Sequence, residues 1–231
     1  MVIDANLREH IQGAPLTVVG RLVDASNATL LCETDKDIRV IYKPIAGERP
    51  LWDFPDGNLA SREVAAFLIS ELGGFHLIPF TVLRDGPYGE GAVQEWIDID
   101  ESVDLAEYGQ SEDAQLRQLA LLDAVLNNTD RKFGHLLLTE EGKLFGCDHG
   151  VTLHSDPKLR TVLWQWSGDS LKSEERNQLI HLREKLSDSP IHSLIADHEM
   201  VALFNRIDAI LAANCFPEPS DEWPAIPWPP F

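Results

Sequence analysis

The hydrophobic positions change period along the chain, and the changes define its elements. Residues 17–43 carry β patterning. TVVGRLV alternates apolar and polar positions, DASN at 24–27 is a turn signal, and ATLLCET reads as the return strand. A polar break at 33–37 leads into IRVIYKP, a third strand closed by Pro44, which cannot continue a ladder. The glycine- and proline-rich stretch 46–58 predicts a loop. From 59 to 72 the period becomes helical, with Val64, Phe67, Leu68 and Leu72 on one stripe and Gly73 and Gly74 as terminators. LIPFTVLR and GAVQEWID predict two further strands, so the first part reads as three strands, one helix, two strands.

The second part is helical in pattern. Segment 98–113 holds seven acids and no base, which predicts a solvated linker or lobe surface, not a helix. A helix over 112–127 is supported by Leu116, Leu119, Ala120, Leu122 and Leu126. NNTDRKFGH breaks it, and LLLTEEGKLFGCD has the form of a short hairpin turning at Glu141 and Gly142. Two more helices are expected at 173–186 and 191–213. Prolines exclude helix and central strand from 216 onward, and Trp223, Trp228 and Phe231 predict a tail packed against the body with its tryptophans buried.

Composition narrows the functional classes. The 231 residues suffice for a sizeable core, and 44% apolar residues argue for a folded chain. Against 38 acids stand 19 bases, a formal charge of −19 that disfavours nucleic acid and anionic membrane surfaces. It does not exclude a nucleotide, because local charge decides within a pocket. Three cysteines, none closely spaced, indicate neither a disulfide framework nor a thiolate zinc site. With no basic-then-apolar start and no run long enough to span a bilayer, the expectation is a cytoplasmic protein without integral membrane association.

Four charged residues fall in an order that suits phosphoryl transfer: Lys43 at a strand end, Glu63 early in the next helix, then Asp130 and Asp148. That chemistry needs a cation on the phosphates, an acid holding it, a carboxylate near the acceptor hydroxyl and another for metal. Singly, each has a plainer reading. Lys43 can guard an edge strand, Glu63 can favour a helix dipole, Asp130 can shape a turn and Asp148 can cap a loop.

Together with DAVLNNTDRKFGH, LFGCDHGVTLH, YKP and PWPPF, these residues make the chain resemble the atypical kinase superfamily that includes phosphatidylinositol 3- and 4-kinases and HipA-like kinases. It is most similar to small bacterial phosphatidylinositol-kinase-like proteins. The resemblance implies an α+β, two-lobed kinase-like fold, with a β-rich lobe over 1–97 and a mostly helical lobe over 98–231. It implies ATP with magnesium or manganese as cofactors, and an unidentified protein or small-molecule acceptor. Lys43 would contact the phosphates and Glu63 would pair with it. Ser26 and Asn27 would lie in the nucleotide-covering turn, and Glu95 and Trp96 in a hinge that meets adenine through the backbone. Asp130 would orient or deprotonate the acceptor, Lys132 would neutralise the transferring group, and Asp148 with His135 would hold metal. His135 stands where the lipid-kinase pattern has asparagine. That substitution favours manganese or zinc over magnesium and also admits an ATP-binding pseudokinase. A metal-dependent hydrolase using His135, Asp148, His149 and His154 is a further alternative.

Overall fold

The computed structural model describes residues 5–22 and 27–231. A short helix, α1 (Ala5–Gly13), precedes strands β1 (Thr17–Arg21), β2 (Leu30–Glu33) and β3 (Arg39–Pro44). Helix α2 (Leu59–Leu72) follows, then β4 (Thr81–Gly86) and β5 (Gly89–Glu95). The five strands form one antiparallel sheet in the order β1-β2-β3-β5-β4. Alternation sends Val40 and Tyr42 of β3 into a core completed by Val93, Ala65 and Ile69. β4 begins at Thr81, not at Leu77, because Leu77 and Ile78 are buried without entering the ladder.

Helix α1 is absent from the hydrophobic pattern. Of its residues only Ile11 is fully buried, and Arg84 of β4 holds its end by donating to the carbonyls of Ile11 and Ala14. Two such bonds satisfy C-terminal carbonyls that the helix itself leaves free.

The helical half contains α3 (Leu105–Gly109), α4 (Ala114–Leu126), α5 (Ser173–Lys185) and α6 (Asp197–Ala213). Between α4 and α5 lies a hairpin of β6 (Leu136–Leu138) and β7 (Leu144–Gly146). The acidic stretch expected to stay irregular contains α3. Asp104 caps that helix by accepting from the N–H groups of Ala106 and Glu107, so acids at its start meet the positive end of the dipole. Helix α4 is the centre of this half. Leu116, Leu119, Leu121, Leu122, Val125 and Leu126 are all fully buried. The last helix starts at Asp197, later than expected, because Pro190–Ser193 makes a 3-10 turn first.

The halves are joined by a buried ion pair between Arg62 of α2 and Glu199 of α6, 2.6 Å apart. The C-terminal tail returns to the loop that carries Asp130. Phe133 donates its N–H to the Pro230 carbonyl (2.8 Å), its ring stands 5.5 Å from that of Phe231, and the Ala225 carbonyl accepts from Thr161 N–H and from the Trp164 indole. The tail therefore docks, but through its backbone and Pro227. Trp228 is 86% exposed and Trp223 half-buried, contrary to the expectation that both would be interior. No helix among the described residues is long and apolar enough to cross a membrane.

Candidate active site

Lys43 reaches its position because β3 is an inner strand, paired with β5 at Lys43 and Ala92. Its side chain leaves the sheet towards α2 and hydrogen-bonds Glu63 Oε1 there. Its Nζ also lies 2.9 Å from Asp148 Oδ1, just beyond β7. The second oxygen of Glu63 accepts the N–H of His149 at 3.0 Å. One carboxylate thus fixes both the lysine of the sheet half and the backbone beside Asp148. Helix α2 is held in place for this task. Asn58 accepts from Ser61 N–H, and Glu48 accepts from the N–H groups of Leu59 and Ala60.

The charges at this junction are set by burial and by one another. Burial works against the Lys43 ammonium, but Asp148 and Glu63 outweigh it and hold the lysine above its ordinary pKa. Burial pushes Glu63 up despite Lys43. Lys43 pulls Asp148 well below the usual carboxylate range. Asp148 therefore carries a full negative charge at the cleft, where its side chain is half-exposed. Its backbone is left-handed, at φ 59°, a conformation that costs a non-glycine residue energy and has to be enforced by its surroundings.

The enforcing network is buried. Arg131 donates twice to Asp123 of α4, each bond 2.9 Å, and both side chains are fully inaccessible. The same guanidinium donates to the Cys147 carbonyl (3.0 Å) and lies 2.6 Å from His149 Nε2. Burial, then Arg131, depresses the His149 pKa and keeps that ring neutral, so Nε2 can accept. Asn128 donates to Asp123 and accepts the N–H of Asp130 at 3.0 Å. The loop carrying Asp130 and the segment carrying Asp148 are consequently bound to the same buried pair.

Burial raises the Asp130 pKa, and Lys132, with Nζ 3.6 Å from Asp130 Oδ2, opposes the rise. His135 Nε2 lies 3.6 Å from Asp148 Oδ2. Burial lowers the His135 pKa to about 4, against the pull of Asp148, so its imidazole is neutral near pH 7. A neutral ring beside a charged carboxylate is a competent donor pair for a divalent cation. Among the described residues no group of three or more metal-type side chains converges. A cation at Asp148 and His135 would need other ligands from phosphate or water.

A cavity of about 430 Å³ brings together Asn27, Lys43, Glu63, Asp130 and Asp148. Lys132 and His135 adjoin it through Asp130 and Asp148. Ser26 lies outside the described residues. Glu95 and Trp96 do not line the cavity. Their N–H groups are donated to the carbonyls of Phe80 and Arg39, so any backbone contact to adenine here would use other groups. The hydrolase constellation is not assembled either. His149 is committed to Arg131, and His154 packs edge-on to Phe54 while contacting Lys158. Sequence reasoning missed Asp123, Asn128, Arg131, Glu48 and Arg160 as parts of this region. An acid inside the otherwise apolar LLDAVL was the available signal for Asp123, since a charge on a fully buried helix requires a partner.

Comparison with solved structures yields kinase folds. The golgi casein kinase with Mn/ADP bound superposes with a TM-score of 0.61 and 16% identity, over 90% of this chain and 74% of that one. Hydra Fam20 with sugar gives 0.57 and 16%, over 91% and 89%. The Helicobacter pylori proinflammatory kinase CtkA gives 0.51 and 10%, over 89% and 94%. At these identities the likeness establishes an α+β, kinase-like fold. No family model matches the sequence. Protein Rv2133c of Mycobacterium tuberculosis is 39% identical over an alignment 257 positions long, which takes in 94% of this chain and 92% of that protein. The chain therefore belongs to the family of Protein Rv2133c.

Proposed function

We propose that the protein is an ATP-dependent phosphotransferase of the phosphatidylinositol 3-/4-kinase-like type, acting on a hydroxyl acceptor that is a protein or small molecule and not a lipid. The observation that carries this reading is the Lys43 ammonium held between Glu63 and Asp148, on the wall of a cavity that also contains Asp130. Residues 1–97 form the nucleotide-phosphate lobe in this reading, and 98–231 the lobe of the catalytic loop and metal site.

Bound ATP and a magnesium or manganese ion would supply the phosphoryl group and the charge that screens it. Lys43 stabilises the α and β phosphates, with Glu63 fixing its direction. Asn27, which lines the cavity, would cover the phosphates together with Ser26. The backbone near Glu95 and Trp96 meets adenine through groups other than those two N–H donors. Asp148 and His135 would hold the cation, whose charge would screen the phosphates. Asp130 orients the acceptor hydroxyl and takes its proton as oxygen bonds to the γ phosphorus and the bridging oxygen departs with ADP. Lys132 faces the charge that develops on the transferring group. The elevated pKa of Asp130 suits a group that takes up a proton during transfer.

A second reading, an ATP-binding pseudokinase, rests on His135 in place of asparagine. Calorimetric titration with ADP and Mg²⁺ or Mn²⁺, paired with transfer of labelled phosphate from ATP, separates the two. The transferase reading expects nucleotide binding that Asp148→Asn weakens at least tenfold. It also expects turnover that Asp130→Asn lowers by about 10²–10⁴-fold with little change in ADP affinity. Nucleotide binding without turnover on any acceptor favours the pseudokinase. Loss of neither property in either variant refutes both.

A further inference from the structure

Arg160 lines the same cavity as Asp130 and Lys43. Two backbone bonds fix its position against the catalytic loop. Its N–H donates to the Asn128 carbonyl at 2.9 Å, and its carbonyl accepts from Arg131 N–H at 3.1 Å. These bonds straddle Asp130 in sequence, so the Arg160 backbone cannot shift without moving the loop. The guanidinium makes no side-chain hydrogen bond or ion pair among the described residues, and its charge acts on the nearby Asp130 carboxylate, opposing the rise in that group's pKa. Its Nε is buried without a hydrogen-bond partner, and among the described residues no carboxylate lies within 4.0 Å of it. A buried donor left unpaired costs free energy unless something binds it.

The neighbouring charges are already committed. Glu48 caps α2, Glu63 holds Lys43, and Asp53 lies 3.9 Å from Lys158. Lys158, the other base of this segment, is 6% exposed and sits 4.8 Å from the centre of the Trp223 ring. Arg160 alone of the two is directed to the cavity. Its partner in the bound state has to be an anion beside Asp130, on the acceptor side of the site. Arginine's planar fork suits a carboxylate or a phosphate monoester, each of which accepts two parallel N–H bonds.

Size and charge define the class further. The cavity of about 430 Å³ also has to take the nucleotide phosphates, so the room left beside Asp130 suits only a small acceptor. The cavity lining carries five carboxylates against the bases Lys43, Arg49 and Arg160, so an anion is held there by direct contact with one of those cations and not by the general field of the cleft. Building on the phosphotransferase reading, we infer that the acceptor is a small hydroxyl compound bearing a carboxylate or phosphate group, and that Arg160 binds that group while Asp130 addresses the hydroxyl.

The test uses the whole chain and three probes of similar size: glycerol 3-phosphate, glycerate and glycerol. Binding of each is measured by calorimetry with and without saturating ADP and Mg²⁺. The expected result is that at least one anion binds tenfold or more tightly than glycerol, and still binds when ADP is present. Arg160→Gln should weaken it at least tenfold, Arg160→Lys less so, and ADP affinity should stay within about twofold in both. Unchanged melting temperatures show that the variants are folded. The phosphate and carboxylate arms identify which anion is preferred. Equal binding of all three probes, displacement of the anions by ADP, or a tenfold loss of ADP affinity in Arg160→Gln each overturns the inference, the last by assigning Arg160 to the nucleotide. Arg160-dependent anion binding in a protein that binds no ADP would instead uphold the anion site and remove the phosphotransferase reading.

Discussion

Replacing Asp123 by asparagine tests whether the buried pair beneath the Asp130 loop holds that loop in place. Asp123 and Arg131 are fully inaccessible and joined by two 2.9 Å bonds, with Asn128 as a third contact to the same carboxylate. Asp123→Asn preserves shape and one acceptor oxygen but leaves the Arg131 cation buried without a counter-charge. Breaking one side of such a pair costs about 3–5 kcal/mol. That is a large share of the roughly 5–15 kcal/mol that stabilises a domain. At about 2–4 °C per kcal/mol for a chain of this size, melting should fall by roughly 6–20 °C. Urea unfolding followed by tryptophan fluorescence and by far-ultraviolet circular dichroism measures the loss. A companion variant, Asp123→Leu with Arg131→Met, removes both charges and should recover most of the stability. It should not recover turnover, because Arg131 also holds the Cys147 carbonyl and His149. The reasoning is refuted if Asp123→Asn costs less than about 1 kcal/mol, or if the double variant is no more stable than the single one.

Other outcomes follow from the same structure. Lys43→Met, which leaves Glu63 and Asp148 without their ammonium, should lower ADP affinity at least tenfold by calorimetry. Leu122→Ala opens a hole at a fully buried position of α4 and should cost about 2–5 kcal/mol in urea. Trp228→Ala should change stability by no more than about 0.5 kcal/mol, since that ring is mostly in solvent. Against the upward push of burial, Arg117 and the Lys172 N–H hold Glu175 below its ordinary pKa of 4.5. The stability this contributes is complete above that value and is lost as pH falls through the lower folded-state value. Wild-type unfolding free energy should therefore decline more steeply below about pH 4.5 than that of Glu175→Gln.

The sheet half was largely legible because β2 and β3 alternate buried and partly exposed positions, which leaves a period in the sequence, while α2, buried on nearly all sides, is marked by its flanking turn residues. The bounds of α2 at 59 and 72 follow from its stripe and its glycines. α1 left no such trace: only Ile11 is fully buried, and Arg84, more than seventy positions away, holds its end. α3 was obscured by counting acids without asking where on a helix they fall. Lys43, Glu63, Asp130 and Asp148 converge on one cavity as their order implied. The support beneath them did not show, because a hydrogen-bond network linking Asp123, Arg131 and His149 has no periodicity to read. The tail was misjudged for another reason. Its prolines leave carbonyls free to accept, so backbone bonds dock it and Trp228 need not be buried.

The return of the tail also affects the order in which the protein becomes functional during synthesis. The amide of Phe133 lies inside the segment that carries Asp130, Lys132 and His135, and its acceptor is the carbonyl of Pro230. On a ribosome adding about 5–20 residues each second, that acceptor is made on the order of 5–20 s after the amide. The sheet, α4 and the buried arginine pair can form in the interval, but this bond to the loop cannot. A growing chain thus acquires its folded body before its finished catalytic loop. Cleavage in the exposed stretch 218–222 of the mature protein would release the same clamp.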